Sequence, residues 1–318
     1  LSNIGRSRSM TSCEIMVREF NAQVKQINAI LRNEGKFYSI PRFQRGYAWN
    51  RSHYDTFWND LIEEEWDLFI GTILLSSEGS TDNEGRVEVI DGQQRLLTIT
   101  ILLSSIRDAL DSLGYEREAT GLQVRYIARE EWMDSKEKKP VILPGDKLES
   151  YFKNRIQKYP INDDSPLLED KSDEEKRVKA ARLYFDRQLK DGLKDIQDSL
   201  EKMQWLLSLA KKIEKLTVVS IDVEQEEDAY TVFESVNAKG AALTLADILK
   251  NMIFRQLKNK KGEEDTAQNQ WNDIISNLEG TGFSMSKFIR YYWLSKHDFM
   301  TESKLYEAIK RKLQRKRV

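Results

Sequence analysis

VEVIDGQQRLLTITILLSSIRDAL, residues Val87–Leu110, changes its apolar period partway along. Val87 and Val89 follow the two-residue repeat of a strand, with Ile90 apolar beside them. Leu96, Ile99, Leu103, Ile106 and Leu110 then follow the repeat of about 3.6 that marks one face of a helix. The stretch therefore predicts a strand running into an amphipathic helix through the turn Asp91-Gly92-Gln93-Gln94-Arg95. A helix start carries unpaired N–H groups and a partial positive charge, which suits a phosphate. Arg95 would add a planar, two-pronged donor. The plainer alternative is a tight turn in which Asp91 caps the helix and Arg95 is solvated.

Outward from this turn, the same kind of reading predicts the neighbouring elements. Residues 13–31 carry apolar positions that fit a helix or a strand followed by a helix. Phe37, Tyr38 and Ile40 read as strand, with Pro41 holding the chain extended. HYDTFWNDLIEEEW (53–66) reads as helix, FIGTILL (69–75) as a buried strand, and SSEGSTDNEG as the turn that pairs it with VEVI. Residues 115 to about 216 read as mostly helical, interrupted by KEKKPVILPGDK and by an acidic loop. LTVVSIDV (216–223) reads as a strand returning to the first sheet. DAYTVFESVN reads as a helix, and Thr244 with Asp247 as the capping box of the next one.

Composition narrows the function. The 318 residues are 40% hydrophobic and 32% charged, with net charge −2, so nucleic acid could bind only through a local patch. The single cysteine, Cys13, excludes internal disulfides and thiolate-rich zinc sites and suits a reducing compartment, so the expected location is cytoplasmic. No apolar run approaches the roughly 20 residues that span a bilayer, and no membrane partner is expected. There is no Walker A sequence and no nucleophile elbow, and the two histidines, His53 and His297, lie far apart. Asp82, Glu88 and Asp91 make a poor nuclease set, with no lysine two residues after an acid on that strand.

Two further blocks carry polar chemistry. IPRFQRGYAW places Arg42, Gln44 and Arg45 among Phe43, Tyr47 and Trp49, a pattern able to grip phosphates and stack bases. On spacing alone, an edge segment with core aromatics and arginines paired to Glu63–Glu65 is favoured. FESVNAKGAALTLADILKN sets Asn237, Lys239 and Gly240 in a loop before a helix face bearing Asp247, Lys250 and Asn251. This is either a second clamp on a polyanion or a plain helix–loop–helix.

In the order IPRFQRGYAW, FIGTILL, VIDGQQRLLTITILL and EEDAYTVFESVNAKGAALTLADILKN, the chain resembles the N-terminal domain family of GmrSD-type modification-dependent restriction enzymes, over roughly Phe20 to Phe254. That family is placed in the ParB/sulfiredoxin-like superfamily, and its architecture is similar to SspE-like sensors of phosphorothioate DNA. The resemblance implies an α+β fold, a small mixed sheet elaborated by a large, mostly helical region. It divides the chain into a lead (1–12, an expression tag or disordered), a core with the DGQQR turn (13–114), a helical insertion (115–215), a return to the core (216–255) and a C-terminal helical region (256–318).

The same resemblance implies hydrolysis of a nucleoside triphosphate, GTP favoured, with Mg²⁺, coupled to recognition of modified phage DNA and control of a nuclease domain or subunit. It assigns catalysis to Asp91, Gln93, Gln94 and Arg95, with Asp91 also holding Mg²⁺. Nucleotide binding falls to Gly92, Arg42, Gln44, Arg45, Asn237, Lys239, Gly240, Asp247 and Asn251, and sensing of DNA or its modification to Tyr47 and Trp49. The histidine–asparagine–histidine nuclease motif common in relatives is absent, and the basic run at 310–318 is expected to lead toward such a domain. The alternative is a non-catalytic module that grips DNA or senses its modification.

Overall fold

A computed structural model describes residues 21–33, 35–41, 44, 46–64, 67–77, 85–130, 138–160, 172–223, 263–278 and 281–300, with isolated positions between 246 and 257 and between 305 and 312. Its centre is a six-stranded mixed sheet. The strands are β1 (Asn21–Gln26), β2 (Phe37–Ser39), β3 (Phe69–Ser76), β4 (Arg86–Asp91), β7 (Ile142–Leu143) and β8 (Thr217–Val223). Across the sheet the order is β1-β8-β3-β4-β2-β7. β8 runs antiparallel to β1 and parallel to β3, β3 antiparallel to β4, and β2 parallel to both β4 and β7. β5 (Ala128–Glu130) and β6 (Lys138–Pro140) form a separate two-stranded ribbon.

The helices are α1 (Ile27–Leu31), α2 (Arg51–Glu63), α3 (Gln93–Ser112), α4 (Glu116–Leu122), α5 (Asp146–Phe152), α6 (Asp173–Leu193), α7 (Ser199–Lys215), α8 (Glu263–Leu278) and α9 (Met285–Leu294). α4 and α5 each run into a single π-helical turn. The α+β class expected from the sequence is the one observed. Residues 21–31 form the strand-plus-helix alternative, and β3 and β4 pair as expected.

Strand alternation feeds two cores. Ile73, Leu75, Val87, Val89 and Val218 face the large cluster shared with α1, α2, α3, α6 and α7. Leu74, Ile90, Ile221 and Val223 point the other way, against Phe254 and Trp271. The sheet is thus apolar on both faces, which explains why its strands read as nearly continuous hydrophobic runs.

Two expectations need correction. α3 is not amphipathic: residues around its whole circumference are buried, including Leu97, Ile101 and Leu102. It lies between the sheet and a second helical layer, packed against α4, α6 and α7. Three of its buried hydroxyls bond within the helix: Thr98 donates to Gln94 O, Thr100 to Leu96 O and Ser104 to Ile101 O. Secondly, KEKKPVILPGDK is more than an interruption. Lys138–Pro140 pairs with β5, and Ile142–Leu143 forms the sheet edge beside β2. Strands of two and three residues are too short to show a period. The predominantly helical segment therefore shares one core with the sheet, from Ile27 to Val218. The helix expected over DAYTVFESVN and the capping box at Thr244 and Asp247 lie outside the described residues.

Candidate functional site

β4 ends at Asp91 and α3 begins at Gln93, so one residue, Gly92, makes the whole turn. Its φ is +91°, the left-handed region where a side chain is strained. A Cβ there would also lie 2.8 Å from Ile73 Cγ1 and 3.2 Å from Thr72 O. Only glycine lets β3 approach this closely. Having no side chain, Gly92 cannot close the helix start, and no acidic residue stands in the first turn of α3. The positive end of a 20-residue, deeply buried helix is therefore presented at the turn without a side-chain cap at its N-cap position.

Arg95 is half-buried, and its guanidinium lies across β3. Nη1 donates to Thr72 O at 2.9 Å, and a Cβ on Gly71 would sit 2.8 Å from Nη2. Gly71 has φ +105° and falls where the β3–β8 register shifts, between Phe69 and Thr72. The irregular backbone makes a flat seat that holds the guanidinium beside the turn. Neither Gly71 nor Thr72 was singled out from the sequence, although an isolated glycine in a strand pattern signals a bulge or a close approach.

The two glutamines of the turn do different work. Gln94 is buried with both ends of its amide engaged: Nε2 donates to Gly46 O at 2.9 Å and Oε1 accepts from Ala48 N at 2.7 Å. Gln93 is also buried, yet its Oε1 has no hydrogen-bond partner among the described residues. An unsatisfied buried acceptor costs about 1–3 kcal/mol, so this atom is where a bound water or ligand would relieve a penalty.

The first signature block is bolted to the same turn. Gln44 Nε2 donates to Val89 O at 3.1 Å and Ile90 O at 2.8 Å, the last carbonyls of β4 before Asp91. From α6, the carboxylate of Glu174 rests on Gly46 so closely that any Cβ at 46 would collide with it. Glu174 carried no sequence signal, because only the tertiary fold brings α6 to this segment. Tyr47 corrects an expectation. It is fully buried, its hydroxyl pairs with Thr98 Oγ1 at 2.9 Å, and burial pushes its phenol well above the ordinary range. A side chain enclosed in this way cannot read DNA; it belongs to the core. Trp49 is half-buried, stacked on His53 with ring centroids 5.8 Å apart, and keeps part of its surface.

Asp91 and Gly92 stand at the turn, with Gln44, Gln93, Gln94 and Arg95 around it. Arg42, Arg45, Asn237, Lys239, Gly240, Asp247 and Asn251 lie outside the described residues. Among the described residues no group of three or more His, Cys, Asp or Glu side chains gathers as a metal site, and no helix is long and apolar enough to cross a membrane. No curated protein matches the chain. A family model does: that of the GmrSD restriction endonuclease, N-terminal domain, matches residues 27–254.

Proposed function

The chain belongs to the GmrSD restriction endonuclease N-terminal domain family, and from that premise we propose that it is a nucleoside triphosphatase whose turnover governs an associated nuclease. The observation that carries the reading is the pairing, at one turn, of a helix start without a side-chain cap with a buried acceptor on Gln93 that has no partner among the described residues. The polyphosphate lies at the N-terminus of α3, where backbone N–H groups and the helix dipole meet it. Arg95, seated on Gly71 and Thr72, donates to phosphate oxygens and stabilises the charge developing on the transferred group. Gln93 Oε1 accepts a hydrogen bond from the attacking water and aims it at the terminal phosphorus. A bond forms between the water oxygen and that phosphorus, the bond from the phosphorus to its bridging oxygen breaks, the water's proton passes to the released phosphate, and nucleoside diphosphate and phosphate leave.

Gln94 and Gln44 act as positioning residues, holding the segment around Gly46 and Ala48 against the turn. Arg42, Arg45, Asn237, Lys239, Gly240, Asp247 and Asn251 are assigned to the nucleotide, and Trp49 to modified DNA, on the family motif alone. Mg²⁺ is commonly held by one or two carboxylates together with substrate phosphates, and Asp91 fits as such a single protein ligand. Bound there, the ion would neutralise part of the phosphate charge.

Steady-state phosphate release, measured with each nucleoside triphosphate and with or without plain and modified DNA, tests the reading. Arg95→Ala and Gln93→Ala should each lower turnover on the order of 10²-fold, the usual cost of losing one preorganised donor or orienting group. Wild-type protein that binds DNA but releases no phosphate under any of these conditions would leave a phosphate-gripping module and remove the enzyme.

A further inference from the structure

At the far end of α3, the helix faces α6 and α7 across a cleft of about 480 Å³, a volume of the size that holds small ligands. The cleft is lined by Asp108 on α3, by Arg182, Asp186 and Lys190 on α6, by Lys194 just beyond it, and by Lys202 in the first turns of α7. Fifteen residues of helix separate Gln93 from Asp108, so the cleft lies about 22 Å along the axis from the turn.

Its charges do not cancel. Asp108 is already shared: Arg107 Nε reaches Oδ1 at 2.7 Å and Arg182 Nη2 reaches Oδ2 at 2.6 Å. Arg182 Nε also holds Asp186, at 2.8 Å from Oδ1 and 3.0 Å from Oδ2. Two guanidinium groups thus offset two carboxylates. Lys190, Lys194 and Lys202 remain, and none has a hydrogen-bond or ion-pair partner among the described residues. The floor is unfinished as well: Ser105 Oγ, which lines the cleft, and Arg107 Nη2, behind Asp108, are buried without partners among the described residues. Leu189 and Leu193 supply an apolar wall.

We propose that this cleft is a second anion site, taking a small phosphorylated molecule and separate from the turn at Gly92. The surplus of three ammonium groups matches the two or three negative charges of a phosphate monoester or diphosphate. Leu189 and Leu193 suit the organic part of such a molecule.

Isothermal titration calorimetry on the full chain, with inorganic pyrophosphate and with AMP as probes, tests the proposal. Binding should persist in Arg95→Ala and weaken at least about tenfold in Lys194→Glu/Lys202→Glu. Thermal melts run alongside, and if the charge-reversed protein does not fold, Lys194→Gln/Lys202→Gln decides, with a smaller loss expected. The proposal is overturned if neither probe binds wild type at millimolar concentration, if the lysine variants bind as wild type does, or if Arg95→Ala alone abolishes binding. A short DNA duplex forms the second arm. Lysine variants that lose duplex affinity but keep both small probes would assign these lysines to a nucleic-acid backbone and overturn the small-molecule site. Lysine variants that bind as wild type does, or that lose only the duplex, leave the proposal for the turn standing, because that rests on Gln93 and Arg95.

Discussion

Arg95 lies on Gly71: the guanidinium occupies the space that a side chain at position 71 would claim, with Nη2 2.8 Å from the Cβ site. The relationship ties the geometry of a strand irregularity to the aim of a cationic group one strand away. Gly71→Ala must therefore displace the guanidinium and also strain a backbone at φ +105°. Phosphate release should fall about tenfold or more, part of what removing the donor outright costs. Combined with Arg95→Ala, the loss should be far from additive, because both changes remove the same placed group. Additive losses would show that Gly71 acts through something other than Arg95.

Gly92→Ala should be among the most damaging single-atom additions in the chain. It forces a left-handed alanine and presses a methyl group onto Ile73 and the Thr72 carbonyl. A cost of about 1–3 kcal/mol in denaturant unfolding is expected. A change within error would mean that β3 can retreat from the turn, and the close approach would carry no weight.

Gln94→Ala leaves Ala48 N and Gly46 O without their side-chain partners in a part-buried position. Stability should drop by about 1–3 kcal/mol. Amide exchange at Ala48 should accelerate, while the slowest amides of α3 change only with global stability. Were exchange at Ala48 unaffected, the segment would be held by something other than this glutamine.

Tyr47→Phe separates packing from recognition. The ring stays in the core and only the bond to Thr98 Oγ1 is lost, while that hydroxyl still donates to Gln94 O. The expected cost is about 1 kcal/mol in unfolding, with no change in affinity for plain or modified DNA. A selective loss of affinity for modified DNA would reinstate Tyr47 as a reader.

How much of this was legible before folding differs from residue to residue. Residues 87–110 alone announced a strand running into a helix, because periodicity is a local fact written in neighbouring residues; that the turn shrinks from Asp91–Arg95 to Gly92 alone, at a left-handed φ, only the structure showed. The strands expected at 69–75 and 216–223 and the helix expected at 53–66, observed at Phe69–Ser76, Thr217–Val223 and Arg51–Glu63, were readable for the same reason. The short pairings at 138–143 were not, since a strand of two or three residues is defined by its partner and not by its own pattern.

The order of residues was enough to determine that Asp91-Gly92-Gln93-Gln94-Arg95 would sit where a strand becomes a helix. Which of its two glutamines has both ends of its amide already engaged was decided only in three dimensions. The carbonyl of Gly46 and the amide of Ala48, brought in from nearly fifty residues away, engage Gln94, whereas Gln93 Oε1 has no hydrogen-bond partner among the described residues. The same distant chain buries Tyr47, and β3 seats Arg95. A side chain's chemistry is local, but whether its hydrogen bonds are already spent depends on backbone that arrives from elsewhere in the fold.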